Sequence, residues 1–240
     1  MYRNSLILLF FFFLCFNATA QMDSYNRVVQ KKLNWGFRVG FDAKNAAHCN
    51  IYQDGIEISN NKITNQVGFQ GALFGRINLG KFFFQPEGSY YYTREKYDFA
   101  LPGELDPETQ QETFQNVTLS KKTYSLNAAT LLGYNIVKRD AFIFNIYSGA
   151  GLRYNYAKQY QNEQSPYDNF TDKKAKYNLN LTAGLSANIA YLYFDFRYEF
   201  VMPEKKQTNY SDISNTPDYL KNISIKEFGN MLSFSIGMMF

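Results

Sequence analysis

Cysteine, histidine, tryptophan and proline are all scarce in this sequence, with two Cys, one His, one Trp and six Pro among 240 residues. Cys15 lies in the N-terminal apolar run, which leaves Cys49 alone in the remainder, and one cysteine forms no internal disulfide. Stability must therefore come from the fold. A structural zinc takes four ligands, and His48 with Cys49 supplies two. The net charge of +4 is small and scattered along the chain, which excludes a nucleic-acid surface. Past the N-terminus the longest apolar-looking stretches, such as Ala141 to Leu152, fall short of the roughly 18 residues a transmembrane helix needs. No helix is predicted to span a membrane.

Aromatic residues, in contrast, are abundant: 20 Tyr and 23 Phe raise the aromatic share to 18%. Part of the Phe count belongs to the first residues. Met1-Tyr2-Arg3 is a short positive start, Leu6 to Phe16 is apolar, and Ala18-Thr19-Ala20 closes the run. This pattern predicts a secretory signal peptide over residues 1–20, cleaved before Gln21. Cys15 follows Phe13 and Leu14 where a lipidation site needs small residues, so no lipid anchor is expected. Loss of Arg3 lowers the net charge to +3. Residues 21–34, with Lys31 and Lys32, read as a periplasmic tail that either touches a partner or stays disordered. Residues 35–240 read as one domain.

The rest of the chain alternates. In YLYFDFRYEF, residues 191–200, the charges Asp195, Arg197 and Glu199 interleave with Phe194, Phe196, Tyr198 and Phe200. A strand has a side-chain period of two, so one face here is charged and the other is made of large apolar rings. Eight segments behave this way: Trp35–Ala43, Val67–Leu79, Phe82–Thr93, Thr123–Ile136, Phe142–Tyr156, Tyr177–Ile189, 191–200 and Phe228–Phe240. At a tilt of about 45° a strand advances roughly 2.4 Å per residue, so about 11 residues cover the ~25 Å apolar band of an outer-membrane barrel.

Connections near Gly80-Lys81, Lys138-Arg139-Asp140 and Asn188-Ile189-Ala190 are tight, and those between them are long and polar. Long and short alternate, as they do when all long loops share one side of a membrane. Tyr90, Tyr92, Tyr124, Tyr154, Tyr156, Tyr177 and Tyr198 sit where strands meet long loops; Trp35, Phe82, Phe142 and Phe240 mark the opposite rim. Amphipathic rings suit membrane interfaces. These features predict an all-β, eight-stranded antiparallel up-and-down transmembrane β-barrel with short periplasmic turns and long extracellular loops, set in the outer membrane of a Gram-negative bacterium.

A secreted lipocalin-like barrel alternates equally well, with its apolar face inward. Its solvated outer face would carry lysines, whereas every Lys here is expected in a loop, turn, tail or strand end. The strand interiors hold Arg38, Arg76, Arg153 and Arg197 with Asp42, Glu87, Asp195 and Glu199. Four guanidinium groups against four carboxylates describe a confined lumen in which charges pair. Eight strands leave room only for side chains, so a plugged lumen without porin-like conductance is expected.

Several stretches resemble the PorT-like family of outer-membrane β-barrel proteins: GFRVGFDAKN (36–45), FFFQPEGSYYY (82–92), YSLNAATLLGYNI (124–136) and the closing SFSIGMMF. Gln85-Pro86-Glu87 is the most specific of them. The founding member is linked to type IX secretion, so the resemblance implies an accessory role there. A terminal Phe240 in an alternating last strand is similar to the signal read by barrel-assembly machinery.

No catalytic, cofactor-binding or metal-ligating residues are assigned. His48 stands in the first long loop with no positioned partner, which leaves an outer-membrane lipid-modifying enzyme using His48 as an alternative. Loop 94–117 carries six acids against two bases and is either a solvated acidic loop or a cation bridge to lipopolysaccharide. The leading expectation is a non-enzymatic barrel, structural or binding partners through its loops. Outer-membrane lipid and lipopolysaccharide, the assembly machinery and secretion-system or surface proteins are the expected partners, with no nucleic acid and no cofactor.

Overall fold

The structure, a computed structural model, describes residues 31–58, 61–105, 112–139, 142–163, 169–172, 176–202, 208–209, 213 and 223–240. The predicted signal peptide and the first part of the tail, residues 21–30, lie outside the described residues. Among the described residues, eight long strands form the wall: β1 (Leu33–Gln53), β3 (Asn61–Leu79), β4 (Phe82–Leu105), β5 (Glu112–Arg139), β6 (Phe142–Asn162), β8 (Lys176–Ile189), β9 (Leu192–Val201) and β11 (Ile223–Met239). Short pieces β2 (Ile56–Glu57), β7 (Asn169–Asp172) and β10 (Thr208–Asn209) pair with the upper parts of β1, β6 and β11.

Each wall strand pairs antiparallel with the next, and β1 also pairs with β11 from Gly36↔Met239 to Gln53↔Ile223. The sheet closes on itself. Through the membrane section, closure among the described strands leaves no open sheet edge, which a bilayer would not tolerate. The tight turns follow local chemistry. Gly80 adopts a positive φ of 67° between β3 and β4, and Ala190 one of 54° between β8 and β9. Of the third predicted turn, Asp140 lies outside the described residues.

The predicted faces are realised through the membrane section. Phe196, Tyr198 and Phe200 point outward while Tyr193, Asp195, Arg197 and Glu199 are buried in the lumen. Trp35 stacks on Phe240 at 4.8 Å on the periplasmic rim. The upper belt includes Phe41–Phe69 at 5.3 Å, Tyr92–Tyr124 at 5.2 Å and Tyr154–Tyr177 at 4.9 Å.

The long loops require correction, because much of their length is strand. β5 has 28 residues, more than twice what a ~25 Å band takes at about 2.4 Å per residue. Segment 94–117 is not one solvated loop: residues 94–105 continue β4 and 112–117 begin β5. Alternation persists there with its phase reversed. Arg94 and Lys96 face outward while Tyr97, Phe99 and Leu101 are buried. Water outside favours polar groups outside, so the same sheet changes lining at the membrane border.

Three related expectations change with it. His48 lies in β1 rather than a loop, opposite Phe228 of β11 beside a register shift, and Cys49 lies opposite Glu227. Lys44, Lys121 and Lys158 lie within β1, β5 and β6, and Lys121 and Lys158 are buried. β1 begins at Leu33, within the segment read as tail.

Candidate functional site

The lumen is filled in tiers. At the periplasmic end Asn34 donates to the Phe240 carbonyl at 3.1 Å and accepts from Asn78 at 2.6 Å. Above them Arg76 donates its Nε to Gln85 at 2.8 Å and lies 4.1 Å from the centre of the Phe83 ring. No carboxylate forms an ion pair with Arg76 among the described residues. The expected pairing of four Arg with four acids therefore fails at this position, and ring faces and an amide hold the guanidinium instead.

The central tier is a quartet. Glu87 on β4 receives Arg38 of β1 at 3.1 Å and Arg197 of β9 at 2.5 Å. Asp195 receives Arg197 at 3.1 Å and stands 3.8 Å from Arg38. Arg38, Glu87, Asp195 and Arg197 are all fully buried side chains. Gln70 and Ser235 accept further bonds from Arg38, and the Tyr147 and Tyr193 hydroxyls donate to Asp195. Because residues from β1, β4 and β9 meet in this group, it bridges the lumen rather than lining one wall.

One tier higher, Arg153 pairs with Glu199, which also accepts from Tyr91 at 2.5 Å and Asn180 at 3.1 Å. Asp42 accepts from Ser233 at 2.7 Å and, like Arg76, has no ion-pair partner among the described residues. A polar cavity of about 70 Å³ follows, lined in part by Lys44, Lys121, Arg153 and Lys158. Glu95 neutralises two of these, Lys121 at 3.0 Å and Lys44 in closer contact. The top is apolar: Ile51, Phe99, Leu101, Val117, Leu119, Tyr160, Ile213 and Ile223 form one buried cluster with Tyr97.

Several of these residues share a face with predicted ones but are not polar. Phe74, Phe83, Tyr91, Leu131, Tyr147, Tyr193 and Met239 all point inward. Counting by two from Glu87 reaches Phe83 and Tyr91, so position rather than polarity was the available signal. Gly133 carries no side chain where the Phe83 ring lies against it, and a Cβ there would collide with that ring. The Gln85-Pro86-Glu87 stretch also acquires a physical meaning. Gln85 holds Arg76, Glu87 bridges Arg38 and Arg197, and exposed Pro86 lies where the β3–β4 ladder skips from Phe74↔Glu87 to Ile77↔Phe84.

Among the described residues no group of three or more His, Cys, Asp or Glu is placed to hold a metal. Glu95 and Asp98, the described acids of 94–117 with placed side chains, lie on opposite faces of β4. Glu95 turns inward to its lysines, Asp98 accepts from Thr118 at 2.7 Å, and Asp106 and Glu108 lie outside the described residues.

A closed antiparallel ring with apolar rings outside, two aromatic girdles and a charged, filled interior defines an integral outer-membrane barrel. A family model described as outer membrane protein beta-barrel domain matches residues 19–202, and the chain belongs to that family. The match ends before β11, the strand that closes the ring. Among solved structures, the outer membrane protein OprG from Pseudomonas aeruginosa is 15% identical, with 88% of this chain and 97% of that chain covered and a TM-score of 0.51. Ail, the attachment invasion locus protein of Yersinia pestis, is 14% identical over 88% of this chain and 100% of that chain, with a TM-score of 0.38. Neisserial surface protein A is 17% identical over 85% and 97%, with a TM-score of 0.36. The likeness to OprG concerns the fold alone. No curated protein matches the chain. The protein resides in the outer membrane of a Gram-negative bacterium.

Proposed function

We propose that this barrel is a closed, non-enzymatic scaffold whose task is performed by its extracellular section, with the β4–β5 hairpin as a contact surface for other proteins or surface glycans. The observation that carries this reading is the quartet of Arg38, Glu87, Asp195 and Arg197, which ties three strands together across the lumen with no exposed side chain. Admitting an ion would break pairs at about 3 to 5 kcal/mol for each charge left buried alone. The apolar cluster above it obstructs the same path. Beyond the membrane the described parts of β4 and β5 are already paired up to Leu105↔Glu112, so binding through them loses less conformational entropy than binding through a floppy loop.

In planar bilayers the pure folded protein is expected to give no large, stable single-molecule conductance steps; their appearance would overturn the closed reading. Shortening the β4–β5 hairpin within 94–117 should abolish binding to cell-surface proteins or glycans while leaving the barrel folded. Unchanged binding would move the task elsewhere. An accessory role in type IX secretion, implied by the PorT-like resemblance, is the second reading. It rests on the resemblance of stretches such as Gln85-Pro86-Glu87, and it fails if deletion leaves type IX cargo secretion intact.

A further inference from the structure

The outer face of β1 and β3–β6, where they cross the outer-leaflet half of the membrane, is not a smooth cylinder. Gly71, Gly88 and Ala128 form the floor of a groove of about 820 Å³ walled by Val39, Leu73, Leu126 and Leu152 and closed above by Tyr90, Tyr154 and Tyr177. A groove on this face lies in the hydrocarbon region, where acyl chain rather than water must fill it. Above it runs the upper aromatic belt, with Tyr92 on Tyr124 and Tyr124 on Tyr156.

One outward position beyond that belt, Arg94 of β4 is the direct cross-strand partner of Lys122 of β5. Like charges directly opposite on a sheet are destabilising. Neither has a carboxylate partner among the described residues, whereas the next cation up, Lys96, is engaged by Glu163 at 2.7 Å. The Arg94 guanidinium is anchored, donating its Nε to the Tyr92 hydroxyl at 2.6 Å with its carbon 5.1 Å from that ring. This arrangement leaves the Nη edge for a forked bond to a phosphate.

We propose that this face binds one molecule of lipopolysaccharide through its lipid A, with a phosphate between Arg94 and Lys122 and an acyl chain in the groove over Gly88 and Ala128. The cations stand at the extracellular rim, the headgroup level of the outer leaflet, and groove and cations share one outward face. The site depends on the membrane placement and not on the closed lumen, so it can fail without affecting the reading above.

The test uses the full folded protein in phosphatidylcholine nanodiscs doped equally with bisphosphorylated lipid A and phosphatidylglycerol, with retained lipid counted by native mass spectrometry. One lipid A per barrel is expected. Arg94→Ala with Lys122→Ala should lower retention by at least about tenfold, and dephosphorylated lipid A should be retained as weakly. Gly88→Phe should lower it as well, because a Cβ added at Gly88 meets no atom of the barrel within 4 Å and the ring beyond it is directed into the groove. Ala128→Leu fills the same floor if Gly88→Phe fails to fold, as judged by heat-dependent gel mobility. Leu232→Phe, outward on β11 away from the groove, should change nothing. Equal retention of phosphatidylglycerol, or full retention of lipid A by the variants, would overturn the site.

Discussion

The membrane section and the extracellular section of this barrel are made by the same strands with opposite linings. On β4 within the membrane, Phe82 and Tyr90 face out and Gln85, Glu87 and Ser89 face in. A few residues further along, Arg94 and Lys96 face out and Tyr97, Phe99 and Leu101 face in. The hydrogen-bonded ladder continues across the change, with Tyr92↔Tyr124, Thr93↔Thr123 and Arg94↔Lys122 in unbroken register. Backbone pairing is thus indifferent to the solvent, and the side chains carry the whole adjustment. Below the border, charges sit inside because hydrocarbon surrounds the wall; above it, an ordinary apolar core forms because water does.

The comparison breaks most severely at the quartet. Glu87→Ala leaves Arg38 and Arg197 facing each other with Asp195 as their remaining carboxylate. A loss of about 3 to 5 kcal/mol is expected, read from the denaturant midpoint of the protein folded in lipid vesicles. A cost near zero would mean that water enters the lumen. Phe196→Arg comes next. At the middle of the lipid face it should cost about 2 to 4 kcal/mol, while Asn116→Arg, outward and exposed on the extracellular part of β5, should be close to neutral. If the two cost the same, the border has been drawn in the wrong place.

Ile51→Val in the extracellular core is the milder test, at about 0.5 to 1.5 kcal/mol. Its effect should be local: amides of the β4–β5 hairpin should exchange faster, while those of β9 keep their protection. Uniform acceleration would show that the two sections unfold as one unit.

The smallest effect belongs to the exposed clamp of Lys96, Ser120 and Glu163, which joins β4, β5 and the end of β6. The hydrogen bond from Lys96, with that from Ser120, holds the Glu163 carboxyl below the usual carboxylate range, and Glu163 in turn raises the Lys96 ammonium. The clamp's contribution is present above the unfolded carboxylate value and is lost as pH falls through the lowered one. At the alkaline end it is lost as pH rises through the raised ammonium value. Nuclear magnetic resonance titration should place Glu163 below its ordinary value and move it upward in Lys96→Ala. An ordinary value in the unmodified protein would show that the clamp does not form. The unfolding midpoint should hardly change, because exposed pairs are screened and mobile.

Much of this was legible beforehand. Alternation in 191–200 assigns Asp195, Arg197 and Glu199 to the lumen, and both aromatic rims fall where tyrosines meet the polar segments. The inward aromatics were less legible, since Tyr147 and Tyr193 are as greasy as the rings facing lipid and only parity separates them. The strand extensions are hidden in the sequence for a related reason. Polar residues such as Arg94, Lys96 and Asp98 suggested a loop, yet in water polar residues on alternate positions are the outer face of a strand. His48 reads as a loop residue on the same grounds.

The sequence by itself determined that the chain is a β-barrel with lipid outside, because a period of two and a row of rings admit few other solutions where no helix among the described residues is long and apolar enough to cross a membrane. Tertiary structure alone decided which charges meet. Arg38, Glu87 and Arg197 are separated by tens of residues and become neighbours only when β1 and β11 close the ring. Closure likewise brought Tyr193 of β9 to Arg76, which pairs with no acid among the described residues, while the β4–β5 register set Arg94 beside Lys122 above the groove. Register and shear fix which side chains share a level of the barrel, and these are properties of the closed sheet that no single strand contains.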